Sequence, residues 1–600
     1  MLFLPVVAGL HAQKDITLEG IWKDYEYVAK SVPGFNFLND GKHYTRLEDN
    51  KVQQYDITTG ALVTTIFDPA TVRDNKDFTG QVDGYEFSAD ESKMIIRSGT
   101  EPIYRRSVKA NYFVYDRKAG TLTTVFDEGK HSYASFNPQA DRVAFTYENN
   151  LYYRDLSTGN VTQVTTNGEQ NKIIYGSADW VYEEEFGFAK AFFWSEDGQR
   201  LAYYRFYVPR IKWTKDSDKL CVYRMNRHQN QLELLLADAR SGETKLLLKE
   251  ENDYYIAESV LDNLMFLEDG KRFVWSSEQD GWHHIYLYSM KGKKLEQITK
   301  GEWEVTELYG VHEAEGRIYY QAADKSPMER QVYSIGLDGK NRQIIAGASG
   351  WNSAQFSSTY DYYVGQFSTA NAPATYTVYD KKGRTLRVIE ENKELKTKQM
   401  EYGTQPVEFF SFETSEGVEL NGWMIKPRDF RENRQYPVFM YLYGGPGSQT
   451  VTDSWKGMNY WWFQMLAQQG YIVASVDNRG TGARGEKFKK MTYQQLGHYE
   501  TIDQIEAARY LGSLPYADEN RIGIFGWSYG GYMSSLCVLK GNDVFKAGIA
   551  VAPVTNWNWY DTIYTERYMR TYKENESGYR DNSPVYFADR LKGDYLLVHG

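Results

Sequence analysis

Short apolar and aromatic runs alternate with polar turns through the first part of the chain. From about Phe35 to Val388 one local pattern keeps returning: an aromatic strand, a polar turn, a second strand, and a turn of the form Asp-x-x-x-Gly. Instances are YDITTGALVTTIFD, YFVYDRKAGTLTTVF, LYYRDLSTGNVTQVTTNG, IYLYSMKGKKLEQITKG and YTVYDKKGRTLRVI. Each pairs two strands through a glycine-containing turn. The first three begin about 40 to 60 residues apart, close to the blade period of propellers. The pattern predicts a β-propeller rather than an array of sandwiches. Its repeats are degenerate, so the pattern does not disclose a blade count.

After about Lys398 the texture changes. PVFMYLYGG, YIVASVDNRG, IGIFGWSYGG and DYLLVHG are apolar runs that end in small residues. Helical segments such as YETIDQIEAARYL lie between them. Buried parallel strands alternating with helices predict an α/β domain. In such sheets the chemistry sits at the carboxyl ends of the strands. The expected division is a propeller over residues 13–397 and an α/β-hydrolase peptidase domain over 398–600.

The length of 600 residues agrees with two or more domains, each with its own core. An aromatic share of 16% favours β-rich structure. The net charge of -11 excludes nucleic acid as the main partner, which would need a basic face. Cys221 and Cys537 are the two cysteines, so neither a disulfide framework nor a metal spacing is present. No metal and no cofactor are expected. Residues 1–12 open the apolar stretch MLFLPVVAGLHAQ, which reads as the remnant of a signal peptide, with an N-terminal strand as the alternative. No other stretch reaches the roughly 18 apolar residues of a spanning helix. The expectation is an exported protein, periplasmic or secreted, without a membrane span.

Gly526-Trp527-Ser528-Tyr529-Gly530 fits G-x-S-x-G. It follows the apolar run Arg521 to Phe525 and precedes a helix-like run, Gly531 to Leu539. That strand-turn-helix context is what a nucleophile elbow requires, so Ser528 is the candidate nucleophile. An oxyanion needs two donors. One is the backbone N–H of Tyr529, the residue after the nucleophile. Tyr443, before Gly444-Gly445-Pro446-Gly447, is either the second donor or a packing aromatic.

Together GWSYGGYM, YGGPGS, VDNRGTGARG, VAPVTNWNWYDTIYTERYM and DWVYEEEF resemble dipeptidyl peptidase IV of the prolyl oligopeptidase family. The resemblance runs through both domains and covers most of the chain. DWVYEEEF is its most specific part, because it lies in the propeller and separates this branch from endopeptidase relatives. The resemblance implies an eight-bladed propeller joined to an α/β-hydrolase. It implies a serine exopeptidase that releases N-terminal Xaa-Pro dipeptides, and Xaa-Ala less readily, through an acyl-enzyme. It also implies the site residues. Ser528 is the nucleophile, and Tyr443 with the N–H of Tyr529 forms the oxyanion hole. Glu184 and Glu185 bind the free ammonium of the peptide substrate. Arg105, in YRRS, contacts the substrate carbonyl. Val554, Trp557, Tyr560 and Tyr564 hold the proline ring.

The chemistry agrees with those roles. Adjacent carboxylates repel, and burying them without a cation is costly. A substrate ammonium would supply the cation and place the scissile bond two residues from the N-terminus. Without the resemblance, the Glu183-Glu184-Glu185 run reads as a solvated charge cluster, the aromatic box as core, and Arg105 as a surface ion-pair partner.

Two departures stand out. In the family the catalytic aspartate and then histidine come after the His-Gly with which this sequence ends, so both are expected beyond Gly600. His599, on a strand expected to be buried, does not match the family's base. RFYVPRIKW reads as lacking residues between Phe206 and Tyr207, where the family carries further propeller strands and an arm that pairs subunits. That junction bears on blade geometry and on whether a homodimer forms. The competing readings are an acylaminoacyl peptidase or prolyl endopeptidase of the same build, and a propeller-hydrolase binding protein without catalysis.

Overall fold

The computed structural model describes residues 14–32, 34–72, 75–205 and 210–600. The signal-peptide reading of residues 1–12 and the junction between Phe206 and Tyr207 lie outside the described residues.

Between Asn36 and Glu390 the strands form successive antiparallel sheets, each from one continuous stretch of chain. In four of them an Asp-x-x-x-Gly turn joins the two outer strands. In the first blade the Asp56 carboxylate accepts the N–H groups of Thr58 and Thr59, and Gly60 takes φ +72°. Asp155 with Gly159, and Asp238 with Gly242, repeat the arrangement. The carboxylate satisfies the turn's donors, and glycine supplies the left-handed residue at no steric cost. The ring closes through side chains. Gln355 of the last blade both accepts from Phe35 N–H at 3.1 Å and donates to Phe35 O at 2.7 Å.

The eight-bladed propeller implied by the resemblance is not what the described residues form. Seven sheets have four strands, and the sheet of Phe192–Trp194 and Leu201–Tyr203 has only two. Residues 204–210 alone separate it from Ile211–Trp213 of the next blade. Two more strands of about 5–6 residues each, with their turns, do not fit in that length.

The helix Lys393–Glu401 leads into a seven-stranded sheet. Val407–Glu413, Glu419–Ile425 and Ile472–Asp477 pair antiparallel in that order. From there Tyr436–Tyr441, Ala517–Trp527, Phe545–Val551 and Asp594–Val598 add in parallel. Helices His498–Gly512 and Tyr529–Lys540 bury apolar side chains against this sheet in the largest core cluster. Asp594–Val598 is an edge strand, with Leu596, Leu597 and Val598 exposed. His599 follows it and is exposed, contrary to the buried position expected, because among the described residues the strand pairs only with Phe545–Val551. The first described segment packs on this unit too: Ile16, Ile21 and Tyr27 join Tyr402, Tyr460 and Trp461 in one cluster.

Propeller and sheet unit meet through ion pairs, one of them buried. Glu278 of the propeller pairs with Lys489 and, at 2.8 Å, with Lys490. Arg227 forms a two-pronged pair with Glu566 at 2.6 and 2.7 Å. No helix among the described residues is long and apolar enough to cross a membrane.

Candidate active site

Ser528 stands between the strand Ala517–Trp527 and the helix Tyr529–Lys540, at φ 55° and ψ -116°. This conformation is strained for any residue with a Cβ, and the surroundings enforce it. The Ser528 N–H donates to Val551 O at 2.8 Å. The glycines around it are required by close backbone approach. A Cβ on Gly526 would lie 2.3 Å from Gly530 backbone, and one on Gly530 would lie 2.3 Å from Leu442 O. The turn therefore lifts a half-buried serine to the carboxyl end of the sheet.

Tyr529 is the first residue of the helix, so its N–H has no intrahelical acceptor. Its ring is buried and lies 6.0 Å from that of Tyr443. Tyr443 follows the strand Tyr436–Tyr441 and is 38% exposed. Burial raises its phenol pKa, the Glu185 carboxylate raises it further, and Arg105 opposes them. Its neighbours are thus on both sides of the interdomain space. Behind it, Gly444 takes φ +75°, where a Cβ would lie 2.6 Å from Asn478 Oδ1.

The three glutamates sit on the helix Trp180–Phe186, capped by Asp179, which accepts from Tyr182 N–H at 2.9 Å. They have three different environments. Glu183 is buried and accepts from the backbone N–H groups of Arg106 and, at 3.0 Å, Ser107. It ties the 104–107 turn to the helix. Glu184 pairs with Arg105 at 2.8 Å. Glu185 is 7% exposed, and its carboxyl is pushed up to about 7. Burial is the main cause, followed by repulsion from Asp561, with Arg567 opposing and Glu184 adding to the rise. Such a carboxyl favours any cation brought beside it.

The aromatic residues pack as one group. Trp557 and Tyr564 stack at 6.0 Å, and Tyr560 meets Tyr564 edge-on at 5.2 Å. Trp557 also lies 5.9 Å from Tyr529. Val554 is half-buried against the same core. The Tyr560 phenol is pushed up to about 12, by burial first and then by Glu185 and Asp561. Ring contacts thus link Tyr443, Tyr529, Trp557, Tyr560 and Tyr564, and charge interactions link them to Glu184, Glu185 and Arg105.

Two residues that sequence reasoning missed belong to this group. Asp561 caps the helix Thr562–Met569 by accepting from Tyr564 N–H at 2.9 Å. Its Oδ2 is buried without a hydrogen-bond partner among the described residues. An N-cap signal, Asp before a helical run, could have found it. Arg567, on the same helix, is buried; its Nη1 is 3.9 Å from Glu185 Oε2 and also pairs with Glu258. Its Nε donates to Gln229 at 2.7 Å. Nothing local marks it, because its partners come from distant propeller segments.

Residues 88–206 and 207–374 match the family described as the dipeptidyl peptidase IV N-terminal region. Residues 457–600 match the prolyl oligopeptidase family. A probable dipeptidyl peptidase 4 of Arthroderma benhamiae is 30% identical, over 95% of this chain and 82% of the relative. Dipeptidyl peptidase 4 of Trichophyton rubrum matches at the same identity and shares. The crystal structure of Porphyromonas gingivalis dipeptidyl peptidase 4 superposes with TM-score 0.93 at 36% identity, covering 98% of this chain and 91% of that one. A putative dipeptidyl aminopeptidase IV from Bacteroides ovatus shares the fold, with TM-score 0.82 at 24% identity, over 98% of this chain and 92% of that one. The chain belongs to the prolyl oligopeptidase family and is a serine peptidase of its dipeptidyl peptidase IV type.

Proposed function

We propose that this enzyme releases Xaa-Pro dipeptides, and Xaa-Ala less readily, from the free N-termini of peptides. The observation that carries the reading is the placement of Glu184 and Glu185. They come from the propeller, yet Glu185 acts electrostatically on Tyr443 and Tyr560 beside the elbow. A carboxylate pair on the propeller helix, coupled by charge to Tyr443 and Tyr560 of the sheet unit, would set a fixed distance from the substrate's ammonium to its scissile carbonyl.

In this reading a general base takes the Ser528 proton as Oγ attacks the carbonyl carbon. The oxyanion receives the Tyr443 phenol and the Tyr529 N–H. The base passes that proton to the leaving nitrogen as the C–N bond breaks, the amine departs, and the acyl-enzyme that remains is hydrolysed by water. Arg105 holds Glu184 in place and turns its remaining N–H groups to the substrate carbonyl. Trp557, Tyr560 and Tyr564, with Val554, enclose the pyrrolidine ring.

The test is a substrate series. Changing the second residue of Gly-Pro-anilide to Leu lowers kcat/KM by at least the roughly 10–200-fold that a misfitted apolar pocket imposes. Changing the first residue has a much smaller effect. Equal efficiency for Pro and Leu would show that the aromatic group is ordinary core.

A pH dependence follows from Glu185. The kcat/KM of Ala-Pro-anilide divided by that of its acetylated form cancels the titration of any shared base. This ratio rises with pH through about 7, as Glu185 loses its proton and becomes a partner for the ammonium. It falls again above roughly 8, where the substrate amine loses its charge. In Glu185→Gln the rising limb disappears. A ratio independent of pH between 6 and 8 would remove Glu185 from ammonium binding.

A further inference from the structure

The helix His498–Gly512 packs against the strand Ala517–Trp527 and the elbow helix Tyr529–Lys540. Its third residue, Glu500, is fully buried. Oε2 accepts from Gly497 N–H at 2.9 Å and closes the helix cap. Oε1 accepts the Tyr529 hydroxyl at 2.7 Å. A buried carboxyl is costly, and an apolar side chain would fill the same space without that cost. What the carboxyl adds is a strong acceptor at the far end of the Tyr529 ring. The other ionisable groups around it are Asp503 on its own helix, and Tyr529, Tyr532, Cys537 and Lys540 on the elbow helix. Asp503 is already taken by Arg479, with contacts of 2.6 to 3.1 Å.

We propose that Glu500 is a positioning residue: through the Tyr529 hydroxyl it fixes the first turn of the elbow helix, and with it the direction of the Tyr529 N–H. The inference rests on reading that N–H as an oxyanion donor. Tyr529 also touches the rings of Tyr443 and Trp557, so one anchor sets the oxyanion side and the pocket side together. The same helix supports the other donor. Gln504 donates to Asn478 Oδ1 at 3.0 Å, and Asn478 Nδ2 donates to Gly444 O at 3.0 Å, directly after Tyr443. Gly497 admits no side chain here, because a Cβ would lie 1.9 Å from the Tyr532 hydroxyl. The cap, the anchor and the elbow are therefore one packed unit. Burial pushes the Glu500 carboxyl up to about 7, against the hydrogen bonds from Gly497 and Tyr529.

The test uses Glu500→Gln, Tyr529→Phe and the double variant in the full-length enzyme, with Gly-Pro-anilide. Loss of an oxyanion donor costs about 10²–10³ in kcat, and its misplacement is expected to cost about 10- to 100-fold. KM stays within about twofold, because the contact acts in the transition state. A peptide aldehyde inhibitor, whose adduct carries the oxyanion, loses affinity by the same factor as kcat, while the dipeptide product does not. The double variant is no worse than the poorer single one, since both break one link. If Glu500→Gln fails to fold, Tyr529→Phe decides alone. Unchanged kcat in Tyr529→Phe, additive losses in the double variant, or unaltered aldehyde affinity overturns the proposal. Labelling of Ser528 by a fluorophosphonate is followed in parallel. Its persistence shows that the nucleophile reading stands even where the Glu500 inference fails.

Discussion

Replacing Ser528 with Ala lowers turnover of Gly-Pro-anilide by about a millionfold, the usual cost of losing a nucleophile. The fold survives the change. Alanine keeps the Cβ, so the residue adds no clash and its N–H still reaches Val551 O. The backbone stays at φ 55° with the strain it already has. A second substitution separates chemistry from architecture. Ser528→Gly is equally inactive, but it removes a strained conformation worth roughly 1–3 kcal/mol. Part of that gain is offset by the roughly 0.4–1 kcal/mol by which glycine favours the unfolded chain. The glycine variant should therefore unfold at a temperature equal to or above that of wild type, and above that of Ser528→Ala. Calorimetry and the anilide assay check both halves. Activity well above background in either variant would remove Ser528 from the mechanism.

Glu184→Gln and Glu185→Gln each lower kcat/KM for Ala-Pro-anilide by about 10- to 100-fold, and they barely change the poor hydrolysis of acetyl-Ala-Pro-anilide. A hydrogen bond to a charged partner is worth roughly 1.5–3 kcal/mol, and each 1.4 kcal/mol is a factor of ten. Acetylation removes the same charge from the substrate side, so the two losses do not add. Neither substitution leaves a costly orphan. Arg105 has a side chain 71% exposed and is rehydrated when Glu184 loses its charge. Arg567 keeps Glu258 and Gln229 when Glu185 is neutralised. Glu183→Gln is the internal control. Its carboxylate serves backbone donors of the 104–107 turn, so it should affect stability more than the preference for a free amine. An acylaminoacyl peptidase or an endopeptidase would accept the blocked substrate at least as well, and the Glu184 and Glu185 changes would then be nearly neutral. That result would overturn the exopeptidase reading.

The elements of this site were legible to different degrees. The elbow could be read from Gly526-Trp527-Ser528-Tyr529-Gly530, because strand, tight turn and helix are contiguous. The Asp-x-x-x-Gly turns were legible for the same reason: Asp56 and Gly60 meet within five residues. Tyr443 stayed open between packing and chemistry. The structure puts its ring against Tyr529 and its phenol near Glu185, residues that lie far away along the chain.

What the sequence determined by itself is therefore local: strand and turn periodicity, the change to an α/β pattern near Lys398, and the glycines that a strained serine needs. These follow from backbone sterics and side chains a few residues apart, which act in any context. The tertiary structure alone decided the rest. It gave the neighbouring Glu183, Glu184 and Glu185 three different partners: a backbone turn, Arg105, and a buried position opposite Asp561 and Arg567. Among the described residues it set seven four-stranded blades beside one two-stranded sheet, and it placed Ile16, Ile21 and Tyr27 on the hydrolase unit. It put Glu500 under the elbow. Each of these depends on burial and on charges brought together from distant segments. Burial and long-range charge belong to the packed chain, and no local pattern of residues records them.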